Sequence, residues 1–397
     1  MAKLHRVVNL RNILSKYHGI KMKIIEEDLI LHRKPTLYKL RVFIKNKKAK
    51  TREELFYFVK TCEQDVKVNI RVCLLSGFET EVQFYLTAVP AMTEFQRRNG
   101  IYARTYQTLF PKCIEARISA EQDKRISDET GVLIFEHLGK MGYTDPNPRE
   151  GLTISACEIV LANLAEMHAT PIAMRILCLD DFMTKVVPCL ITTTQPERSF
   201  RSYKKIDEML EELGEFDFEI KTYLPTIKRA IKFAEHNVLS NDTFSDESWM
   251  TLCHSNFSLS NLMIKYDKKT GITTGCKILD FQSLQYSDCF TDLLFFLLTS
   301  AETNLFKSFD FMLEWYYNSF VQVLMEYDID LTDYSRDHFE YYINRQAPNL
   351  IIKILQSLPY IMCKRYRDDG ELMLNDNFKQ RMRDIIFLFI SREWIDD

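Results

Sequence analysis

The chain has 397 residues, of which 46% are hydrophobic and 27% charged, with a net charge of -3. That length buries a large core, that balance excludes long disorder, and the near-neutral charge excludes the electrostatic footprint of a DNA- or RNA-binding protein. Ten cysteines are scattered without a C-x-x-C pair or a short His/Cys cluster. This argues against a zinc site and a secreted disulfide framework, and predicts reduced, buried thiols in a cytoplasmic protein. No apolar run reaches the roughly eighteen residues of a membrane span.

The N-terminus carries Lys3, Arg6, Arg11, Lys16, Lys21 and Lys23 and no acidic residue before Glu26. A mitochondrial presequence has this charge, but the segment is poor in serine and reads instead as an amphipathic opening helix with Leu4, Val8, Ile13 and Leu14 inside. Leu37 to Ile44 and Leu55 to Lys60, joined by the basic turn Lys45 to Lys50, predict an antiparallel hairpin. Phe78 to Val89 predicts a helix that stops at Pro90. A short buried strand, Gly131 to Phe135, leads into a hinge at Glu136-His137-Leu138-Gly139.

Helix dominates beyond the hinge. Ile154 to Met167, Lys204 to Leu213 and Leu224 to Val238 have helical periodicity. Leu262 to Asp280 breaks the pattern with two strands around the turn Asp267 to Gly271. Thr291 to Phe320, Phe339 to Leu358 and Phe378 to Ile390 then predict long aromatic-rich helices. The expected fold class is α+β and bilobal. Residues 1–137 form a small antiparallel-sheet lobe with one main helix, residues 138–397 a larger, mostly helical lobe, and together they make one domain.

The most informative stretch is Leu252-Cys253-His254-Ser255-Asn256-Phe257-Ser258-Leu259-Ser260-Asn261-Leu262, followed by Asp280-Phe281-Gln282. It has the layout of a phosphotransferase catalytic loop and a metal-binding loop. One polar residue faces the substrate hydroxyl, a second holds a metal, and a carboxylate after the next hairpin bridges metal and phosphates. Lys60 at a strand end and Glu81 on the next helix supply the ion pair such chemistry uses. Glu136 to Leu138 can offer backbone groups to an adenine edge, and Asp292 can cap a helix or buttress the catalytic loop. Bland readings stand beside these. A lone lysine is usually solvated, Asn256 and Asn261 are favoured in turns, and His168 reads as a buried or capping histidine. Trp249, Trp315 and the Tyr316-Tyr317 and Tyr341-Tyr342 pairs read as core packing before pocket lining.

Over nearly its whole length the chain resembles the ecdysteroid kinase-like, or CHK kinase-like, family of the choline and aminoglycoside kinase branch of the protein-kinase-like fold. The resemblance rests on Phe78 to Tyr85, Leu133 to Leu138, Leu164 to Ala169, the catalytic loop, Asp280-Phe281-Gln282 and Asp292-Leu293-Leu294. It implies ATP and Mg2+ as cofactors, Lys60 on the phosphates with Glu81 as its partner, and Asn261 and Asp280 as magnesium ligands. It also implies Asn256 at the catalytic position with His254 as a structural member of the loop, and a small hydroxylated acceptor, steroid-like or xenobiotic.

Two departures qualify the activity. The family's loop runs His-Gly-Asp, whereas this chain has His254-Ser255-Asn256, and a neutral amide accepts a hydrogen bond but takes up no proton. No glycine stands between Gly19 and Gly77, so the hairpin segment His32-Arg33-Lys34-Pro35-Thr36-Leu37 lacks the residue that lets backbone amides approach phosphates. The expectation is a small-molecule phosphotransferase acting on a hydroxyl, impaired by these losses. The alternative is an inactive pseudokinase that binds a nucleotide, a small molecule or a protein partner.

Overall fold

The computed structural model describes residues 7–19, 23–31, 36–45, 52–62, 77–121, 126–190, 201–239, 246–302, 305–363, 365 and 372–395. The glycine-free segment His32 to Pro35, the basic turn Asn46 to Lys50 and Leu4 lie outside these residues. The chain packs as two compact units. The first comprises Met1–Thr144, Leu177–Thr193 and Lys277–Leu284, and the second Asp145–Ile176, Thr194–Cys276 and Gln285–Asp397. The first unit therefore takes in two later segments besides the N-terminal residues, and one of them carries Asp280.

The first unit is built on a five-stranded antiparallel sheet in the order β1-β2-β3-β5-β4. The strands are β1 (Ile24–Leu31), β2 (Leu37–Lys45), β3 (Arg52–Thr61), β4 (Cys113–Arg117) and β5 (Val132–Glu136). Helix α1 (Leu10–Tyr17) buries Leu10, Ile13 and Leu14 against Leu40, Val42, Ile44, Tyr57, Val59, Val132 and Ile134 of the sheet. Each such side chain contributes about 1.5–3 kcal/mol on burial. Val8, expected inside, is 42% exposed, because Asn9 turns left-handed (φ 60) and starts the helix only after it. Strand side chains alternate. With Tyr57 and Val59 in the core on the α1 side, Phe58 and Lys60 lie on the other face of β3.

The helix expected to end at Pro90 continues. Residues 77–83 (α2) run into a π-turn, Phe84–Ala88, and then into α3 (Val89–Arg98), where Pro90 sits in the first turn. A proline is tolerated there because first-turn amides need no intrahelical acceptor, and the register change of the π-turn restarts the helix just before it. A short strand β6 (Tyr143–Thr144) follows β5, and α5 (Leu179–Lys185) completes the unit's named elements.

The second unit is mostly helical: α4 (Ile154–Leu177), α6 (Arg201–Phe216), α7 (Phe218–Leu239), α8 (Cys289–Ser300), α9 (Leu305–Glu326), α10 (Arg336–Gln346), α11 (Ile351–Met362) and α12 (Asp376–Ser391). Strand β7 (Met250–Cys253) pairs antiparallel with β10 (Gln285–Asp288), and β8 (Leu262–Tyr266) and β9 (Thr273–Ile278) form the expected hairpin. Its turn is closed by Asp267, which accepts from the amides of Lys269 and Thr270, and by left-handed Gly271.

Three helical expectations are corrected. Helix α4 runs past His168 and through Pro171 because its residues there are buried on all sides, so packing outweighs the lost hydrogen bond. The expected helix from Thr291 to Phe320 is two. Leu152 inserts at Ala301, donating to Ser300 O (2.8 Å) and accepting from Glu302 N (2.9 Å). Gly151, at φ +78, makes that insertion fit, since a Cβ there would lie 2.5 Å from Ala301 O. The expected Phe339 to Leu358 helix is broken by a 3-10 turn, Ala347–Leu350, around Pro348. Trp249 packs in a fully buried cluster with Phe290 and Phe320, as core, whereas Trp315 is 39% exposed and donates to Glu158 O. Among the described residues nine cysteines are free thiols, and no helix is long and apolar enough to cross a membrane.

Candidate active site

In the first unit the sheet and the 77–83 helix bring three predicted residues together. Lys60, near the end of β3, is flanked across strands by Leu37 and Leu133. Its ammonium donates to Glu81 and, at 2.6 Å, to Asp280 Oδ1. Burial alone would lower the Lys60 amine, but the charges and hydrogen bonds of Glu81 and Asp280 outweigh burial and raise it, so it stays an ammonium. Burial pulls the Glu81 carboxyl upward against the opposing pull of Lys60. One ammonium thus faces two carboxylates, and a second cation would balance the cluster.

Asp280 is held in a strained backbone. It is left-handed (φ 69, ψ 68), a conformation that costs a non-glycine residue on the order of 1 kcal/mol or more and persists where surroundings enforce it. The enforcement comes from Phe281, which is fully buried, stacked on Phe84 at 4.0 Å and edge-on to Phe110, with its N–H donating to Glu81 Oε1 at 3.3 Å. Gly77 lets the start of the helix lie against this turn; a Cβ there would meet Gln282 O at 3.0 Å. Glu81 therefore ties both Lys60 and the Asp280 turn to one helix.

Of the expected adenine-edge residues, Glu136 spends its N–H on Lys112 O and its Oε1 on Lys112 N, both at 3.1 Å. Leu138 is buried and opens the 3-10 turn Leu138–Met141, where the leading amides have no partner within the turn. Between them the His137 ring lies on Phe58, with centroids 4.6 Å apart and planes tilted by 30°. The sequence names His137 only as part of the hinge and of the Glu136 to Leu138 segment, for its backbone, and does not single out Phe58.

In the second unit the catalytic loop is braced by α8. Asp292 accepts from His254 N at 2.6 Å and from Ser255 N at 2.9 Å, so it buttresses the loop, while the helix cap itself is Asp288, which accepts from Thr291 N. Ser300, at the other end of α8, accepts from Leu259 N at 3.2 Å. Burial would raise the Asp292 carboxyl, but the neighbouring His168 ring and the fields of His254 and Lys353 outweigh it and hold the group below its ordinary value. His168 is fully buried between Tyr316 (Nδ1 to hydroxyl oxygen, 2.7 Å) and Asp292 (Nε2 to Oδ2, 3.5 Å). His168, Cys253 and Asp292 could ligate a metal on proximity alone, their donor atoms lying within 4.8 Å of one another. Two of the three are already engaged: both Asp292 oxygens accept amides, and the Cys253 thiol donates to the Asp288 and Ser287 carbonyls, while His168 Nε2 has only the 3.5 Å approach to Asp292. The group is a brace.

His254 is fully buried, and its Nδ1 accepts from Asn256 N at 3.3 Å, so it shapes the turn and meets no solvent. Ser255 is left-handed (φ 61), and the next side chain, Asn256, is exposed. Asn261 is buried and donates through Nδ2 to Asn256 O at 2.9 Å. With its NH2 used in that way, the amide leaves its oxygen as the atom that can meet a hard cation such as magnesium.

Replacing Asp292 by asparagine puts an N–H against a backbone N–H. The expected loss is about 2–4 kcal/mol in urea unfolding at neutral pH. The sign of the pH dependence follows from the lowered carboxyl. In wild type this stabilisation is complete above about pH 4 and fades as pH falls through the lower folded value, whereas Asp292→Asn lacks that component. Equal stability of the two proteins at neutral pH would remove Asp292 as the brace.

The parts lie along the chain in the order of a kinase: lysine strand, glutamate helix, braced loop, aspartate turn. The protein is thus kinase-like in fold. The chain belongs to the ecdysteroid kinase-like family, whose description matches residues 35–328. Among solved structures, the ethanolamine kinase of Plasmodium vivax is similar at 12% identity, over 93% of this chain and 85% of that one, with a TM-score of 0.39. No curated protein matches the chain.

Proposed function

We propose that this protein is an ATP- and magnesium-dependent phosphotransferase that acts on a hydroxyl of a small, ecdysteroid-like molecule, with turnover limited by Asn256. The observation that carries the reading is the Lys60 ammonium held between Glu81 and Asp280 on the sheet face opposite the core. A magnesium–phosphate pair offers each member of this cluster a partner of the sign it already prefers. Lys60 would take the phosphates, Asp280 and the Asn261 amide oxygen the metal, and Glu81 would fix Lys60 in place. The Phe58–His137 surface suits a flat nucleobase, and the backbone of Glu136 to Leu138 borders it. Bound magnesium neutralises charge that develops on the transferring phosphoryl group.

On this reading Asn256 would accept a hydrogen bond from the acceptor hydroxyl and so orient it, while the proton leaves to water. His254 and Asp292 hold the loop in shape and are positioning residues. Phosphoryl transfer is loose and relies mainly on positioning and electrostatics, so transfer without a carboxylate base is slow rather than forbidden. The same neutral Asn256 carries the second reading, a pseudokinase that binds a nucleotide or small molecule and acts by sequestration or contact with a partner. The proposed compartment is the cytoplasm, where free thiols such as those described here persist.

Thermal unfolding of the purified chain with and without ATP and magnesium tests the nucleotide part. At ligand about a hundredfold above Kd the expected stabilisation is about 2–3 kcal/mol. No change at saturating nucleotide would overturn it.

A further inference from the structure

Lys353, on α11, had no place in the sequence reading, yet its Nζ donates to the Ser255 carbonyl at 2.9 Å and lies 4.6 Å from the centre of the Phe295 ring. That carbonyl belongs to the peptide leading into Asn256, and a carbonyl oxygen sits about 3 Å from the next Cα. The ammonium is therefore within about 6 Å of the Asn256 Cα. It stands beside the position where a catalytic loop of this family carries its carboxylate.

An ammonium has three donors, and among the described residues this one makes a single hydrogen bond and no ion pair. The acidic groups nearest to it are occupied. Asp292 accepts from His254 and Ser255, Asp288 caps α8, and the Cys253 thiol donates to backbone carbonyls. Burial lowers the Lys353 amine, and the charges of Asp292, Cys253 and Asp288 counter this only in part. An aspartate at position 256 would set an anion beside the ammonium. With Asn256 the loop adds no anion of its own, and Asp292 and Asp288 offset the burial of the ammonium only in part.

We propose that Lys353 is a specificity-determining residue that selects an acceptor carrying an oxyanion near the hydroxyl presented to Asn256. This rests on the phosphotransferase reading of the loop and narrows its substrate class from neutral alcohols to hydroxylated anions.

The probes are cholate, a hydroxylated steroid carboxylate, and its uncharged methyl ester, titrated calorimetrically into the full chain below micelle-forming concentrations. Wild type is expected to bind cholate about tenfold more tightly than the ester, the scale of one charge-assisted hydrogen bond. Lys353→Met removes the preference and leaves ester binding unchanged, and Lys353→Arg keeps it. Asn256→Asp also removes it, and adding Lys353→Met to that variant changes little further. If Lys353→Met does not fold, the two probes on wild type, Lys353→Arg and Asn256→Asp decide. Equal affinity for both probes, binding of neither, or a preference that survives Lys353→Met overturns the inference. Stabilisation by ATP and magnesium is read separately. Its loss with the oxyanion preference intact removes the phosphotransferase reading, and its presence without the preference removes only the role of Lys353.

Discussion

Asn256→Asp is expected to raise ATP consumption with an uncharged acceptor alcohol by about 10²–10⁴-fold, the usual contribution of a general base. In barrier terms that is about 3–5 kcal/mol. The position is prepared for a carboxylate. Its backbone amide is held by His254, its carbonyl by Asn261, and its side chain is exposed, so the substitution changes chemistry with little demand on folding. Paired turnover assays on wild type and variant, with magnesium and ATP, read the effect. Equal and substantial turnover in both would remove position 256 from the proton path. Turnover in neither, despite nucleotide binding, would favour the pseudokinase.

Lys60→Met should have the largest effect on stability. It leaves the Glu81 and Asp280 carboxylates facing each other at 2% and 18% side-chain exposure without the cation that joins them. Breaking a buried pair by removing one partner costs about 3–5 kcal/mol. The midpoint of urea unfolding should fall accordingly, and the stabilisation by ATP and magnesium should disappear. Glu81→Gln is the gentler companion, because the amide oxygen still accepts from Phe281 N while the charge is gone. It should lose about 1–3 kcal/mol and weaken nucleotide binding without abolishing the fold. Unchanged stabilisation by nucleotide in both variants would end the assignment of Lys60 to the phosphates.

The parts of the site that could be read from the sequence are those whose chemistry is local. Asp280-Phe281-Gln282 after a hairpin, and Asn261 five residues beyond Asn256, declare themselves by spacing, and the β8–β9 turn by Asp267 and Gly271. The juxtaposition of Lys60, Glu81 and Asp280 follows from residue type at a strand end, on a helix and after a hairpin. Helix ends were read less well. A proline marks a stop in sequence, but tertiary burial carries α4 through Pro171, and a π-turn absorbs Pro90. The break between α8 and α9 came from Leu152, far away in the chain, which no local pattern announces. For the same reason Phe58, Lys353 and the ring of His137, a residue read only for its backbone, were invisible: each gains its importance from a neighbour contributed by another element. Asp292 shows the limit most clearly. The sequence leaves it to cap a helix or buttress the loop, and only the fold assigns capping to Asp288 and loop support to Asp292.

Gly151 has a reach beyond its own turn. With any side chain there, the Leu152 wedge could no longer sit against Ala301, and the helix begun at Cys289 would be free to wind onward into the next. Ser300 would then rotate away from Leu259, and the far end of the catalytic loop would lose its floor. The one residue without a side chain in that corner thus sets the length of a helix, and through that length the shape of a loop more than a hundred positions downstream.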